Sequence, residues 1–213
     1  MVLKLVREDS SEVEILRHLH SSSSLGNNCT IPILDSIHTH YGTIIVMPRL
    51  QPLDDCDDIA PHVTFALGRL LLGGISFMHA HGIVHRDIKM HNVVVDTEEV
   101  KLFIIDYDLA EQVEDDDDMV CGFVGVVGCT APEVLDSRKE EKFSGIRADL
   151  WAVGEVFQNL VLWSNSDPPE IKALRHISRL FMQEDPGRRP PASEALTILD
   201  SKLAEFLEDG SSD

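Results

Sequence analysis

The segment His85-Arg86-Asp87-Ile88-Lys89-Met90-His91-Asn92 sets a carboxylate, an ammonium and an amide at successive intervals of two and three residues, and Ile105-Asp106-Tyr107-Asp108 adds further carboxylates downstream. Phosphoryl transfer asks for such a set. The protein must hold Mg²⁺ against phosphates, orient a hydroxyl and neutralise charge spreading over equatorial oxygens. A hard cation prefers oxygen ligands, and Asn92 and Asp106 offer one neutral and one charged oxygen. A lone His-Arg-Asp tripeptide reads as a polar loop between a helix and a strand. Joined to the Asp-x-Lys-x-x-Asn spacing, it is far more specific.

Such groups need rigid elements to hold them. Val63, Leu67, Leu70, Leu71, Gly74, Ile75 and Met78 recur at helical spacing and stop before His81-Gly82, which predicts a core-facing helix leading into the loop. Val93-Val94-Val95 and residues 100–105 predict two short strands around the turn Asp96-Thr97-Glu98-Glu99, so Asn92 and Asp106 flank one hairpin. Ile15, Leu16 and Leu19 form the apolar stripe of an earlier helix, and Glu12 lies on the same face, where a carboxylate needs a cation. A capping box of Ser11 with Glu14 would instead make Glu12 a first-turn acid. After a linker at 21–24, Ile33-Leu34 and Thr43-Ile44-Ile45-Val46 predict strands. Residues 149–163 are apolar almost all round, as in a buried central helix, and Ile171 to Phe181 and Ala195 to Phe206 predict two closing helices.

Together with Ala131-Pro132-Glu133, these segments resemble the catalytic core of the eukaryotic protein kinase superfamily, serine/threonine type, over nearly the whole chain. The resemblance implies an α+β, two-lobed fold: an incomplete small β lobe over residues 1–50, a mainly helical large lobe over 51–208, and a disordered tail at 209–213. It implies ATP and Mg²⁺ as cofactors. Asp87 would accept the hydroxyl proton, Lys89 would steady the γ-phosphate, and Asn92 and Asp106 would bind the metal. Lys4, in a strand over residues 2–6, would grip the α- and β-phosphates and pair with Glu12. Met47 would sit at the gatekeeper position before a hinge Pro48-Arg49-Leu50, and Val94 would floor the adenine slot. His85, Arg86 and Tyr107 would be structural or regulatory, with Tyr107 in a phenylalanine's place and Arg86 receiving a regulatory phosphate. Asp149 would brace the catalytic loop, and Glu133 would pair with Arg189.

Several positions depart from the family pattern. The two strands and Gly-rich loop that precede the lysine strand do not occur in this sequence, and Val2 replaces a small alanine. The outer edge of 2–6 would then carry unpaired backbone groups, so either the sequence is a fragment or a partner or missing segment covers that edge. Only seven residues separate Lys4 from Glu12. Asp108 replaces a glycine that lets the segment change backbone state, Val126 replaces a threonine, and Cys129 replaces a tyrosine. Ser164 to Pro169 is too short for the family's extra substrate-docking helix. No Ser, Thr or Tyr lies between Asp108 and Thr130. Phosphorylation therefore cannot order this segment, and Glu114-Asp115-Asp116-Asp117-Asp118 is either a permanent negative charge for Arg86 or a solvated, disordered tip.

At 213 residues, 43% hydrophobic and 26% charged, the chain reads as one globular unit. With no signal-peptide pattern and no apolar run of ~18 residues, a soluble cytoplasmic or nuclear location is expected and no membrane. Residues 51–118 carry sixteen acidic and four basic side chains, −12 of the formal net charge of −19. That disfavours nucleic acid and favours protein substrates, basic ones in particular, although a solvated acidic surface is the plainer reading of the run alone. The four cysteines show no C-x-x-C pairing and the ten histidines no metal spacing, so free thiols and no structural metal are expected. Two functions follow. One is transfer of the γ-phosphate of ATP to protein serine/threonine hydroxyls, because Lys89 lies two residues after Asp87. The other is a pseudokinase that binds partners without transfer.

Overall fold

A computed structural model describes residues 1–22, 27–114, 119–122, 130–136 and 142–210, without the side chains of 136, 209 and 210. Val126, Cys129, Asp115 to Asp118 and the last three residues lie outside the described residues. The chain opens with strand β1 (Val2–Val6) and helix α1 (Glu12–Ser21), followed by β2 (Asp35–Thr39) and β3 (Gly42–Met47). These strands form an antiparallel sheet in the order β1-β3-β2, with Lys4 opposite Ile45 and Val2 opposite Met47. The strand expected at Ile33-Leu34 starts at Asp35. Leu34 N–H already donates to Val46 O at 2.8 Å, so the difference is at the strand end and not in the topology. Among the described residues β1 has a strand partner on one side only, and Leu3 and Leu5 are exposed along it.

The second part begins with β4 (Gln51–Pro52) and helix α2 (Pro61–Ala80). Pro61 suits the first helical position, where no amide proton is needed, and Gly82 ends the element at φ +68°, where a Cβ would lie 2.5 Å from Val113 O. By length and composition α2 could cross a membrane, contrary to the expectation that no apolar run is that long. Its apolarity is explained by the core: Leu67, Leu71, Leu72 and Ile75 are buried there, each worth about 1.5–3 kcal/mol relative to exposure.

Strands β5 (Ile83–Val84), β6 (Val93–Asp96) and β7 (Lys101–Ile104) follow, with β4 and β7 on either side of β6. Short β8 (Glu111–Gln112) pairs with β5, and β9 (Met119–Cys121) pairs with β10 (Lys142–Ser144) beyond helix α3 (Pro132–Asp136). Helices α4 (Gly145–Trp163), α5 (Pro169–Phe181) and α6 (Ala192–Gly210) complete the chain, α4 packing on α5 and α6 on both α5 and α2. The backbone of α6 runs into the expected tail, as far as Gly210. The architecture is α+β, a small antiparallel sheet and one helix ahead of a mainly helical part, as the resemblance implies.

Candidate active site

Residues 85–92 link β5 to β6, and a buried carboxylate from α4 sets their course. Asp149, 1% exposed, accepts His85 N–H at 2.8 Å and Arg86 N–H at 2.7 Å, and His79 Nε2 donates to it at 3.1 Å. His85 is buried with Nε2 3.1 Å from Ile105 O and Nδ1 3.3 Å from Asp87 N. Those partners require the Nε2–H tautomer. Burial holds its pKa below the ordinary value against the pull of Asp149, which keeps the ring neutral. One imidazole thus joins the loop to the residue before Asp106.

Within the loop, Lys89 Nζ donates to Asp87 Oδ2 at 2.7 Å, and Asn92 Nδ2 donates to Asp87 Oδ2 and Asp87 O, both at 2.9 Å. The amide nitrogen is spent on Asp87, leaving Asn92 Oδ1 as the atom able to face a cation. Ile105 N–H donates to Asn92 O at 3.0 Å, so the β6–β7 hairpin brings Asn92 and Asp106 to its two ends. Arg86 and Asp106 adopt left-handed backbone at φ 67° and 68°. Each such residue costs of order 1–3 kcal/mol and persists only where its surroundings enforce it.

Lys4 reaches this site from β1. Its Nζ lies 2.8 Å and 2.7 Å from the two carboxylate oxygens of Glu12, 2.7 Å from Asp106 Oδ1 and 3.3 Å from Asp108 Oδ2. Burial works against the Lys4 ammonium, but hydrogen bonds to Asp106 and Glu12 outweigh it and raise its pKa above 10.5. Burial raises the Glu12 carboxyl more than Lys4 lowers it, and Asp108 pushes it the same way. The cation is thus firmly charged, and the Glu12 carboxylate is harder to keep ionised than an ordinary glutamate. At Asp108 burial pushes the carboxyl up, yet Lys4 and Ser10 hold it below its ordinary value.

The capping box does not form. Ser11 makes no side-chain cap bond, and Ser10 Oγ accepts Glu12 N–H at 3.2 Å instead. Glu12 faces inward, where Oε1 also accepts Tyr107 N–H at 3.1 Å. Tyr107 is fully buried, its hydroxyl donating to Met78 Sδ at 3.4 Å and its ring edge-on to His85 at 4.7 Å.

Arg86 donates through one amino group to Glu111 and through the other to Cys121 O at 2.7 Å and Gly122 O at 3.1 Å. Farther off, Arg189 clamps Glu133 with two bonds of 2.6 and 2.9 Å, donates to Gln183 O and Arg147 O, and stacks over Trp151 at 5.0 Å. Met47 is buried at the end of β3, and Val94 is buried on β6 opposite Pro52, on either side of the 48–50 connection. Sequence reasoning missed Ser10, His79 and Glu111. His79 follows from the helical phase of α2, whereas Glu111 needs the β5–β8 register, for which two residues per strand leave no readable pattern.

The donor set at the hairpin ends, Asn92 Oδ1 and the Asp106 carboxylate, is all oxygen and fits a hard divalent cation. A family model described as Protein kinase domain matches residues 2–207. The chain is similar to Mitogen-activated protein kinase kinase kinase 3 of Arabidopsis thaliana, 33% identical over 213 residues, covering 90% of this chain and 37% of the relative. It is similar to a probable serine/threonine-protein kinase of Encephalitozoon cuniculi, 31% identical over 144 residues, covering 65% of this chain and 26% of the relative. Mitogen-activated protein kinase 12 of Danio rerio is 28% identical over 177 residues, covering 80% and 45%. The chain thus spans less than half the length of each of these relatives.

Proposed function

Because the chain belongs to the protein kinase family, we propose that it transfers the γ-phosphate of ATP to serine or threonine hydroxyls of protein substrates, basic ones favoured. One observation carries this reading: Asp87 is held between Lys89 and Asn92, and Asn92 is joined through the hairpin to Asp106, which lies on Lys4. Asp87 Oδ1 makes no bond to either neighbour and is the atom to orient the substrate hydroxyl and accept its proton. Lys89, two residues on, sits where it can balance charge on the transferring group. Lys4, kept in place by Glu12, orients the α- and β-phosphates. Mg²⁺, when bound at Asn92 and Asp106, supplies neutralising charge to the phosphate oxygens.

The test is transfer from ATP to a generic basic protein with Mg²⁺ or Mn²⁺. Wild type should transfer, and Asp87→Asn should lose about 100-fold or more of the rate while a thermal-shift titration shows ATP binding nearly unchanged. No transfer by wild type would overturn the reading. The second reading, a binding module without transfer, draws support from Asp108, a third carboxylate on Lys4 that phosphates must displace. Nucleotide binding without transfer under both metals would favour it.

A further inference from the structure

We propose that Asp108 is a positioning residue that clasps the Asp106-Tyr107-Asp108 segment to the start of α1 through Ser10 and to β1 through Lys4. What the clasp positions, the metal-binding end of the site, rests on the phosphoryl-transfer reading. The clasp itself rests on geometry alone. Asp108 Oδ1 accepts from Ser10 Oγ at 3.1 Å, and Oδ2 lies 3.3 Å from Lys4 Nζ. Ser10 is fixed in turn: its Oγ accepts Glu12 N–H at 3.2 Å and its N–H donates to Arg7 O at 3.2 Å. A hydroxyl already accepting from Glu12 has its own proton to give to Asp108.

Three consecutive residues are therefore each tied to the first twelve of the chain. Asp106 is held by Lys4, Tyr107 N–H by Glu12, and Asp108 by Ser10 and Lys4. Asp106 carries left-handed backbone that needs such enforcement, whereas Asp108 does not, so a side chain at 108 fits without strain. A glycine there would make neither carboxylate contact and would restrain its own backbone less. The clasp thus favours one state of the segment. Asp108 is also the most distant carboxylate on Lys4, at 3.3 Å against 2.7 Å for Asp106. It is the one placed to release Lys4 to phosphate while Ser10 keeps the segment in place.

The first experiment is hydrogen exchange on the nucleotide-free protein, read at the amide of Tyr107. Asp108→Ala and Ser10→Ala should each speed that exchange by about ten-fold, and the double variant should fall well short of the product of the two, since each removes the shared Ser10–Asp108 bond together with one contact of its own. Ser10 is a partly exposed loop residue, so its variant keeps the test available if Asp108→Ala does not fold. The second readout is kinetic. Asp108→Ala should lower kcat and also lower KM for ATP, because Lys4 loses a competitor, and a general loss of structure would not lower KM. Unchanged Tyr107 exchange in both single variants overturns the clasp, whatever the activity. Faster exchange in a wild-type background that transfers no phosphate upholds the clasp and removes the phosphoryl-transfer reading.

Discussion

Arg86 is paired with Glu111, the residue that the β5–β8 ladder sets opposite Val84, immediately before the loop at 85–92. The second amino group of the same guanidinium takes the carbonyls of Cys121 and Gly122. A single cation, pushed by burial below its ordinary pKa, thus ties the loop to two points of the segment that follows Asp106. The sequence leaves the run at 114–118 as either a permanent negative charge for Arg86 or a solvated tip. Asp115 to Asp118 lie outside the described residues, and Glu111 already occupies Arg86.

Glu111→Gln should therefore loosen the segment, because it weakens the ion pair of a largely buried guanidinium, a loss of about 1–3 kcal/mol. Limited proteolysis should show faster cleavage between residues 107 and 122, with Arg86→Ala, which also removes the bonds to Cys121 and Gly122, faster still and Glu111→Gln adding little in that background. Changing Asp115 to Asp118 to Asn should leave the cleavage rate near that of wild type. Equal rates for Glu111→Gln and wild type would remove Glu111 from this role.

Asp149 holds the backbone at the start of the same loop. Asp149→Ala would leave the amides of His85 and Arg86 without their acceptor in a buried setting, and should destabilise the fold by about 3 kcal/mol. Asp149→Asn keeps one acceptor oxygen and should cost less. Urea unfolding measures both, and similar midpoints for Ala and Asn would show that the two amides find other partners.

How far these relationships could be read in advance depends on their reach along the chain. The loop, its two strands and the helix before it are set by local period, and their positions agree with it to within one or two residues. The inward turn of Glu12 was legible as helical phase, but its competitor, the capping box, could be dismissed only by seeing Ser10 take the Glu12 amide. Asp108 was legible as an added charge. Its contact with Ser10 spans 98 residues, and no local pattern specifies it. Glu111 depends on a ladder of two residues per strand, too short for any alternation to show.

Alkaline stability gives a separate test. Burial pushes the Cys29 thiol from 9.0 up to about 12. Above pH 9 the unfolded chain gives up a proton that the folded chain keeps, so stability falls as pH rises toward 12, by up to about 1.4 kcal/mol per unit. Tyr107, also raised by burial, adds the same sign of effect above pH 10. Between pH 9 and 10, wild type should lose about 1 kcal/mol more than Cys29→Ala in urea unfolding. Parallel losses would mean that the thiol ionises as readily in the fold as outside it.

Lys4 offers the sharpest test of the site's electrostatics. Lys4→Met removes the cation that faces Glu12, Asp106 and Asp108, and Glu12, 1% exposed, is left as a buried charge without its partner. Breaking a buried pair in this way costs about 3–5 kcal/mol. In wild type the Glu12 carboxyl already stands above its ordinary value of 4.5 through burial, and without Lys4 it must rise further. A carboxyl raised in the fold is favoured when protonated, so its contribution is present at low pH and lost as pH climbs through the folded pKa. The deficit of Lys4→Met relative to wild type should accordingly be smaller at pH 5 than at pH 8. Adding Glu12→Gln to Lys4→Met removes the stranded charge and should restore part of the stability at pH 8, although Glu12→Gln alone should destabilise wild type. A deficit equal at both pH values, with no recovery in the double variant, would mean that Lys4 stabilises the fold by packing its stem and not by its charge.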